Sequence, residues 1–418
     1  MHHPKHRIVI TGIGAVTPLG LDAPSTWQAL IAGKSGVSAI TAFDPGDLPT
    51  KIAAFVKGFD PHRYMDRRDV RRVSPFVHYA VAAAQEAMAH ARLDLSQEDP
   101  LRVGVEIGSA LGGTNIVEEQ RAILETKGVR AIAPTTVPGI LINMASCTIA
   151  IQHGIKGPVS SPVAACATGS VALGDAARKM CHGEADVIIA GGADSVMTEL
   201  AIAGFSRLGA LSTKNDTPEQ ACAPFDIHRD GTVVGEGAAA LVLETLEHAQ
   251  ARGAPILAEL LGYGLTCDAF HMIMPDTNGD GAARAMNQAL RSAGRTREDV
   301  DWICAHGTAT PLNDISETRA IKTVLGERAA AVPVSSIKGA LAHMLGAAGA
   351  ISAVAAVQAI QNGVIPPTLN HHIPDPECDL DYVPGAARHA TVKHVLINAF
   401  GFGGQNACLM IAAWNGDV

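Results

Sequence analysis

Similar segments recur in the same order in the two halves of the sequence, and this repeat constrains the fold more strongly than any other feature. The shared order predicts two duplicated α/β halves, residues 1–253 and 254–418, whose matching loops meet around one site. The alternative is a chance match, because apolar segments of this kind are common in α/β proteins. The paired segments are RVGVEIGSALGG with DWICAHGTATP, VSSPVAACATGS with VPVSSIKGALAHMLGAAGA, ADVIIAGGADS with KHVLINAFGFGG, and AAALVLE with ACLMIAA.

The chain as a whole has the pattern of an α/β fold. Short apolar runs that end in Gly or Ser alternate with Ala-rich stretches, as expected where helices pack on a sheet. Of the 418 residues, 47% are hydrophobic and only 17% are charged, so the chain can fill a large interior and is not disordered. The predicted strands are residues 7–11, 103–107, 187–190, 239–243, 256–260, 302–305, 332–335, 395–399 and 408–411. The predicted helices are residues 26–32, 75–91, 169–182, 246–252, 282–293, 316–325 and 346–362.

Charge and cysteine content exclude several classes of protein. The chain has 32 Lys and Arg against 41 Asp and Glu, a net charge of −9, and an acidic protein is a poor partner for nucleic acid. Its eight cysteines are scattered and include no CxxC pair, which argues against a disulfide framework and against a zinc site. Scattered thiols of this kind are typical of a reducing compartment, so a cytoplasmic location is predicted.

One uncharged segment is long enough to cross a membrane. Residues 339–374 contain no Asp, Glu, Lys or Arg, and a span needs about 20 residues. The segment is rich in Ala and Gly, however, and it contains His343, Ser352 and Gln358. A helix that is buried on all sides in a large core has the same composition. We therefore predict a core helix and no membrane association.

Cys166 is the first candidate for a catalytic residue. It stands in a turn of small residues, SSPVAACATGS, just before a helix that is predicted to begin near Ala167. The positive end of a helix dipole lowers the pKa of a thiol, and small neighbours leave room for a substrate. The alternative, which is the more common one for a single cysteine, is a buried and unreactive thiol.

Two histidines and a lysine make the catalytic interpretation of Cys166 stronger. His306 follows a predicted strand, His343 stands near the start of a predicted helix, and Lys338 lies five residues before His343. A thiolate with two imidazoles and an ammonium suits carbon–carbon bond formation on a thioester, because imidazoles can hydrogen-bond a developing enolate. The glycines of AFGFGGQN at 399–406 can expose a backbone N–H to an oxyanion. Each histidine alone could also be a structural residue.

Taken together, the motifs closely resemble those of the elongating, type II β-ketoacyl-acyl carrier protein synthases, which are thiolase-like condensing enzymes. The resemblance extends over nearly the whole chain. It implies a five-layered α-β-α-β-α fold with two pseudo-equivalent halves, and a homodimer. The segments that carry it are VITGIGAVTPLG, GPVSSPVAACATGS, APFDIHRDGTVVGEGAAALVLE, CDAFHM, AHGTATPLND, SSIKGALAHMLGAAGA and NAFGFGGQN.

The resemblance also implies roles for individual residues. Cys166 matches the acylated nucleophile, His306 and His343 match the catalytic histidines, and Lys338 matches the lysine that supports them. Phe402 matches a gating phenylalanine whose backbone N–H forms an oxyanion hole with that of Cys166. The remaining matches are Thr308 and Thr310 in the phosphopantetheine tunnel, Leu111 and Phe205 in the acyl pocket, and Arg67, Arg68, Arg71 and Arg72 in a basic patch that docks the acyl carrier protein. A solvated helix start is the alternative for the four arginines.

The implied reaction is a decarboxylating Claisen condensation. An acyl group moves from its carrier protein to Cys166, and malonyl-acyl carrier protein then loses carbon dioxide and attacks the acyl-enzyme. This chemistry implies no metal and no redox cofactor, and it serves fatty-acid or polyketide-like elongation. The alternatives are a thiolase, which uses coenzyme A and a second cysteine as base, and a non-catalytic chain-length partner, which lacks the nucleophile.

Several positions depart from the family pattern and put the acyl selectivity in doubt. The sequence around the nucleophile is AACAT instead of TACTS, Ala342 replaces the glycine before the second histidine, and Ser352 replaces a glutamate that helps to hold the lysine. The arginine and phenylalanine of RPFD and DGF are Ala223 and Thr232. Because a buried ammonium needs an anion or other acceptors, we predict that Asp314 or, preferably, Glu317 anchors Lys338 directly or through water. The alternative is that backbone carbonyls and solvent satisfy Lys338.

Overall fold

Ten of the fourteen strands within residues 6–416, the part of the chain that the computed structural model describes, form one continuous sheet. The other four strands form two small two-stranded ribbons, β2 with β3 and β11 with β12. In chain order the strands are β1 Ile8–Val16, β2 Ser38–Ala39, β3 Ile52–Ala53, β4 Val103–Gly108, β5 Val159–Ser160, β6 Val187–Asp194, β7 Gly237–Thr245, β8 Ala258–Cys267, β9 Trp302–Cys304, β10 Val334–Ser335, β11 Val364–Ile365, β12 Arg388–His389, β13 His394–Gly401 and β14 Gln405–Ala412.

The order of strands in this sheet is the same in both halves of the chain. The first half is ordered β5-β4-β6-β7-β1 and the second β10-β9-β13-β14-β8. When the five strands that each half contributes to this sheet are numbered in chain order, both halves have the same order across the sheet, 3-2-4-5-1. The two five-stranded halves are joined where β1 meets β8, through only two residue pairs, Val9 with Glu259 and Ile10 with Ala258.

The segments that match in sequence occupy matching places in this topology. β4 and β9 are second in chain order, β6 and β13 are fourth, and β7 and β14 are fifth and antiparallel to the fourth. The sequence repeat is therefore a repeat of structure. The division of the chain at residues 253 and 254 falls between α9, which ends at Ala251, and β8, and as a domain boundary it stays a prediction.

Helices cover the sheet in three layers. In chain order the helices are α1 Ala23–Ile31, α2 Arg67–Val70, α3 Pro75–His90, α4 Thr114–Lys127, α5 Thr136–Ile140, α6 Met144–His153, α7 Thr168–Cys181, α8 Glu199–Arg207, α9 Leu246–Ala251, α10 Asp280–Ser292, α11 Pro311–Leu325, α12 Lys338–Leu341 and α13 Ala348–Asn362. α7 and α13 pack on each other between the two halves of the sheet, α3 and α6 cover the outer face of the first half, and α10 covers that of the second with α11 beside it. The predicted five-layered α/β fold is confirmed.

Both faces of the sheet are buried, and alternate residues serve different cores. Ile188 faces the central layer with α7 and α13, whereas its neighbours Val187 and Ile189 face α3. In the second half, Val395 faces the central layer and Leu396 faces the outer helices. Strands that are buried on both faces read as continuous apolar runs, which is why they could be located in the sequence.

The uncharged segment at 339–374 forms core structure, as predicted. Its apolar helical stretch, Leu345–Asn362, is long enough to cross a membrane, but 78% of it is buried inside the protein. The helix is shorter than predicted, since α13 begins at Ala348 and a 3₁₀ turn, Leu345–Ala347, precedes it. The helical conformation is interrupted before this turn, because Ala342 has φ 57° and ψ −171° and thereby ends α12.

Six of the thirteen helices of residues 6–416 were absent from the sequence prediction, namely the short helices α2, α5 and α12 and the longer helices α4, α6 and α8. α4 and α8 lie on the surface with few fully buried residues, so their apolar periodicity is weak. α6 follows two prolines, Pro134 and Pro138, and a proline inside a helical pattern usually ends or kinks the helix. Pro138 instead lies inside the short helix α5, and the chain returns to helix at Met144.

Candidate active site

Cys166 lies in a tight 3₁₀ turn, Ala165–Ala167, immediately before the central helix α7. Ala165 has a φ of 47°, a left-handed conformation that an L-residue adopts only when its surroundings enforce it. The Thr168 hydroxyl enforces it here, because it accepts from the Ala164 N–H at 2.9 Å and donates to the Ala165 carbonyl at 2.7 Å. The turn therefore holds the thiol in a fixed position at the start of the helix.

Small residues let the second half of the chain approach this turn closely. A Cβ on Gly401 would lie 2.5 Å from the Ala164 carbonyl and 3.3 Å from the Cys166 nitrogen. A Cβ on Gly169 would lie 2.6 Å from the Ala350 nitrogen of α13. Larger side chains at either glycine would push the two halves apart at the nucleophile.

The thiol of Cys166 is protonated near neutral pH. Burial raises its pKa to about 12, and Lys338 and the backbone N–H groups of Cys166 and Phe402 act in the opposite direction. The predicted lowering of this pKa by the helix dipole was therefore wrong in its net direction, because desolvation is the larger effect. The same two N–H groups face the sulfur, as an oxyanion hole requires.

His306 and His343 are brought together at this turn from separate elements. His306 follows β9, His343 follows α12, and their ring centroids lie 5.5 Å apart with the ring planes at 85°. Burial lowers the pKa of each well below its ordinary value, and Lys338 lowers both further. Both imidazoles are therefore neutral, and each presents one N–H donor and one nitrogen acceptor.

Lys338 contacts the backbone of His306. Its Nζ donates to the His306 carbonyl at 2.5 Å. Glu317 accepts from the His306 N–H at 2.8 Å and from the Gly307 N–H at 2.7 Å, and Asn398 also donates to it, at 2.9 Å. Glu317 thus fixes the backbone segment whose carbonyl binds the lysine.

The predicted direct anchoring of Lys338 by a carboxylate was wrong. Asp314 accepts from the Phe225 N–H at 2.7 Å and lies 3.7 Å from Nε of Arg229. Ser352, at the position of the usual glutamate, is buried and interacts with the thiol of Cys304. Burial lowers the pKa of the Lys338 ammonium, and Cys304 and Glu317 are the nearby groups that oppose this most.

The glycine-rich loop closes the site from the other side. The ring of Phe400 lies 5.4 Å from that of His306, and Phe402 is 37% exposed. Gly403 has a φ of 87° and donates to the Met272 carbonyl at 2.8 Å, so a side chain here would strain the loop. The Gly404 carbonyl accepts from the Asp268 N–H at 2.8 Å, which ties the loop to the CDAFHM motif.

A cavity of about 890 Å³, including its open mouth, connects these residues. Its lining includes most of the predicted site residues, namely Cys166, His306, His343, Phe402, Thr308, Thr310 and Phe205. Lys338 lies behind the lining. Leu111 does not line this cavity within the single chain; it is 38% exposed, and its N–H donates to Asp194 at 3.2 Å.

The cavity has an apolar part and a polar part. Phe205, Leu211, Val234 and Leu345 form an apolar wall beside Cys166. A polar strip leads away from it, consisting of Thr308, Thr310, Asn313 and Ser316. The hydroxyls of Thr308 and Thr310 hydrogen-bond each other at 2.9 Å. An apolar chain attached to the thiol would lie against the apolar wall, and a polar arm would enter along the polar strip.

Sequence reasoning missed Asp194, which connects the two halves behind the nucleophile. This buried carboxylate accepts from the Ser109 hydroxyl at 2.6 Å, the Ala110 N–H at 2.9 Å and the Gly346 N–H at 2.6 Å. It thereby joins the loop after β4 to the 3₁₀ turn before α13. The available signal was an acidic residue at the end of the continuous apolar run of β6.

The four arginines of the predicted docking patch lie at the surface. Arg67 and Arg68 begin α2, Arg71 follows it, and Arg72 pairs with Asp69 at 3.0 Å. Arg67, Arg68 and Arg71 are exposed, and Arg72 is half-buried. Their role in docking stays a prediction.

Comparisons with known proteins show which family the chain resembles over most of its length. Residues 5–249 match the family model of the β-ketoacyl synthase N-terminal domain, and residues 257–372 match that of the C-terminal domain. The chain is 47% identical over 408 residues to 3-oxoacyl-[acyl-carrier-protein] synthase 2 of Coxiella burnetii, and the alignment covers 98% of this chain and 99% of that protein. It is 46% identical over 405 residues to the enzyme of the same name from Synechocystis, covering 97% of each chain.

Solved structures with the same fold include two that contain ketosynthases. The ishigamide ketosynthase/chain length factor superposes with a TM-score of 0.92 at 36% identity, over 98% of this chain and all of that chain. A type II polyketide ketosynthase in complex with its acyl-carrier protein, bound to the hexaketide, superposes with a TM-score of 0.91 at 34% identity, also over 98% of this chain and all of that one.

Proposed function

The chain belongs to the β-ketoacyl synthase family, and from this premise we propose that Cys166, His306 and His343 carry out its condensation reaction. The enzyme is an acyltransferase that condenses an acyl group with malonyl-acyl carrier protein in fatty-acid or polyketide elongation. The observation that carries the residue assignment is the convergence of one thiol, two neutral imidazoles and two thiol-facing backbone N–H groups on one cavity.

In the first half-reaction, the acyl group moves to Cys166. A neutral imidazole accepts the thiol proton as the sulfur attacks the thioester carbonyl, because the raised pKa leaves little free thiolate. The N–H groups of Cys166 and Phe402 bind the oxyanion of the tetrahedral intermediate. The bond to the carrier's sulfur then breaks, and the carrier thiol leaves with the proton.

In the second half-reaction, malonyl-acyl carrier protein provides the nucleophile. The bond between its methylene and its carboxylate breaks, carbon dioxide leaves, and the electron pair remains as an enolate. The N–H groups of His306 and His343 hydrogen-bond the enolate oxygen, which neutral imidazoles can do. The enolate carbon attacks the acyl carbonyl, and the Cys166 thiolate is expelled and takes up a proton from solvent.

Lys338 and Glu317 act as positioning residues. Neither lines the cavity, but both bind the backbone of His306. Together they set the position of the imidazole. Burial is the main reason that the pKa of both histidines is lowered, and the positive charge of Lys338 adds to it.

The partners are acyl carrier proteins in their acyl and malonyl forms, with Arg67, Arg68, Arg71 and Arg72 as the docking patch. The related ketosynthase in complex with its carrier protein supports this assignment. A homodimer is supported by the sheet edge at β5, where Val159 and Val163 are exposed. The cytoplasm is the proposed location, in keeping with eight free thiols.

Two alternatives fit the site less well. A thiolase needs a second cysteine as base, but Cys408 is buried in β14 and does not line the cavity. A non-catalytic chain-length partner would lack the nucleophile, whereas Cys166 lines the cavity with both histidines.

A mass-spectrometric assay tests the proposal. The purified enzyme is incubated with acyl-acyl carrier protein, and then with malonyl-acyl carrier protein. We expect the acyl mass on Cys166 after the first step, and its loss with release of carbon dioxide and β-ketoacyl product after the second. Acylation at another residue, or no malonyl-dependent product, would overturn the proposal.

A further inference from the structure

Leu345 has a strained backbone in the apolar wall of the cavity. Its φ is 46°, a left-handed conformation that an L-residue adopts only when its surroundings enforce it. Its side chain lines the cavity and belongs to the same apolar cluster as Cys166. The contacts that hold this backbone therefore also hold part of the wall beside the nucleophile.

The chain is anchored on both sides of Leu345. On the N-terminal side, His343 forms two backbone hydrogen bonds, of 2.8 and 2.9 Å, with residues 233–235. On the C-terminal side, the Gly346 N–H donates to the Asp194 carboxylate at 2.6 Å. The two anchors are only three residues apart, so together they fix the path of the backbone through Leu345.

Gly346 fits tightly against the groups that surround it. A Cβ on Gly346 would lie 2.4 Å from Oδ2 of Asp194 and 2.7 Å from the Ala110 nitrogen. A Cβ on Gly192, in β6, would lie 2.3 Å from the Gly346 carbonyl oxygen. The position of Gly346 thus depends on direct contact with β6 and with the loop after β4, and Asp194 supplies the acceptor in this contact.

Asp194 also binds the loop after β4. Its Oδ1 accepts from the Ser109 hydroxyl at 2.6 Å and from the Leu111 N–H at 3.2 Å, and its Oδ2 accepts from the Ala110 N–H at 2.9 Å. Burial raises the pKa of Asp194, and these hydrogen bonds oppose that rise. Ala110 packs against the apolar cluster that contains Cys166. One buried carboxylate therefore holds two separate segments beside the nucleophile.

We propose that Asp194 is a positioning residue that shapes the acyl pocket, because it holds Leu345 and the 109–111 loop against the cluster around Cys166. This proposal rests on the proposed function and concerns the length of the acyl chain. A long chain contacts the wall over many atoms, whereas an acetyl group reaches little of it. Without the carboxylate, the strained backbone of Leu345 relaxes and the wall moves away from the chain. His343 keeps its own backbone hydrogen bonds, so the histidines stay in place.

The test measures kcat/KM for acylation of Cys166 by decanoyl- and by acetyl-acyl carrier protein, and takes the ratio of the two values. Asp194→Asn keeps the size of the side chain but turns an NH₂ group towards N–H donors. We expect the ratio to fall at least about tenfold, because one methylene contact in an apolar pocket changes specificity by about 10- to 200-fold. Acylation by the acetyl substrate should stay close to that of the parent.

Ser195→Ala is the matched control. Ser195 is the next residue along the chain, and its buried hydroxyl donates to Glu236 at 2.6 Å. Loss of this hydrogen bond should lower the unfolding temperature but leave both segments of the wall in place, so the ratio should equal that of the parent. If Asp194 had only a structural role, Asp194→Asn would resemble this control.

Leu345→Ala shows whether Asp194 acts through the wall. This variant should also lower the ratio, and adding Asp194→Asn to it should have a much smaller effect than in the parent, because the side chain that the carboxylate positions is gone. If Asp194→Asn does not fold, Ser109→Ala takes its place. This variant removes one donor, keeps the carboxylate and should lower the ratio to a smaller extent.

An unchanged or raised ratio in the folded variant, Asp194→Asn or Ser109→Ala, would overturn the proposal. So would an equal fall of the ratio with and without the Leu345 side chain. Failure of the parent enzyme to become acylated at Cys166 would instead contradict the proposed function, and this would be seen before any variant is compared.

Discussion

The ammonium of Lys338 donates to the backbone carbonyl of His306 at 2.5 Å and forms no ion pair with Glu317. The lysine and the glutamate instead bind opposite polar groups of the same residue, its carbonyl and its N–H. The position of the His306 imidazole thus depends on two charged side chains that do not line the cavity.

Glu317→Gln should slow condensation at least about tenfold, because the amide NH₂ would face a backbone N–H and an unpaired buried donor costs about 1–3 kcal/mol. The measurement is malonyl-dependent product formation with its pH profile, together with urea unfolding. Ser352→Glu in the Glu317→Gln background should not restore activity, since Ser352 interacts with Cys304 and not with His306. Full activity of Glu317→Gln would contradict the positioning role.

Cys166→Ala should abolish acyl transfer and change the free energy of unfolding by no more than about 1 kcal/mol, because little volume is lost. The check is the mass of the protein after incubation with acyl-acyl carrier protein, with thermal unfolding as the control for folding. Cys166→Gln is expected to keep malonyl decarboxylation, because its amide oxygen can occupy the oxyanion hole. Normal condensation by the alanine variant would refute the assignment of the nucleophile.

Ala342→Gly should stabilise the protein. Ala342 has φ 57° and ψ −171°, a region that is essentially restricted to glycine and costs other residues about 1–3 kcal/mol. Part of the gain is offset by the greater flexibility of glycine in the unfolded chain, about 0.5–1 kcal/mol. Ala340→Gly, a buried position inside α12, is the matched control and should destabilise. A lower unfolding midpoint for Ala342→Gly would contradict the expectation.

Acid should destabilise the protein through Glu244. This buried carboxylate accepts from Arg252 at 2.5 Å and contacts His248 at 2.7 Å, and these contacts outweigh burial and lower its pKa to about 2. A lowered pKa gives stability that is present above pH 4.5 and is lost as the pH falls towards 2, here about 3 kcal/mol. Glu244→Gln should therefore be less stable at pH 7 and show a flatter loss of stability below pH 4.5 in urea titrations.

Arg71→Glu with Arg72→Glu should raise KM for carrier-linked substrates roughly fivefold, the factor that about 1 kcal/mol of lost attraction gives. Added salt should reduce the difference between variant and parent. Arg295→Glu is the control, because Arg295 is also exposed but lies in the second half, just after α10. If short pantetheine thioesters were affected as strongly, docking would be the wrong explanation.

The sequence predicted the features that depend on local pattern. The repeat, the buried strands and the Cys166, His306 and His343 set could be found because apolar runs and short motifs are visible along the chain. The charge state of Cys166 could not, since it depends on desolvation by residues from both halves. For Lys338 the sequence favoured a carboxylate and left backbone carbonyls as the alternative, because a backbone carbonyl leaves no trace in the sequence and its direction here depends on the His306–Gly307 turn.

Side-chain directions were also beyond the sequence. Leu111 was expected in the acyl pocket, but the Asp194 carboxylate binds its N–H and the side chain does not line the cavity of the single chain. The role of Asp194 could not be predicted either, because the groups that it binds, at positions 109–111 and 346, lie far from it along the chain.

The matching strand orders of the two halves have a consequence for how the site is shared. The segment that carries Cys166 in the first half corresponds to the one that carries His343 in the second, and the loop after β4 corresponds to the one that carries His306. Equivalent loops of the two halves therefore hold different chemical groups, and neither half holds the complete set. Because both copies lie in one chain, a change in one loop does not have to be made in its counterpart.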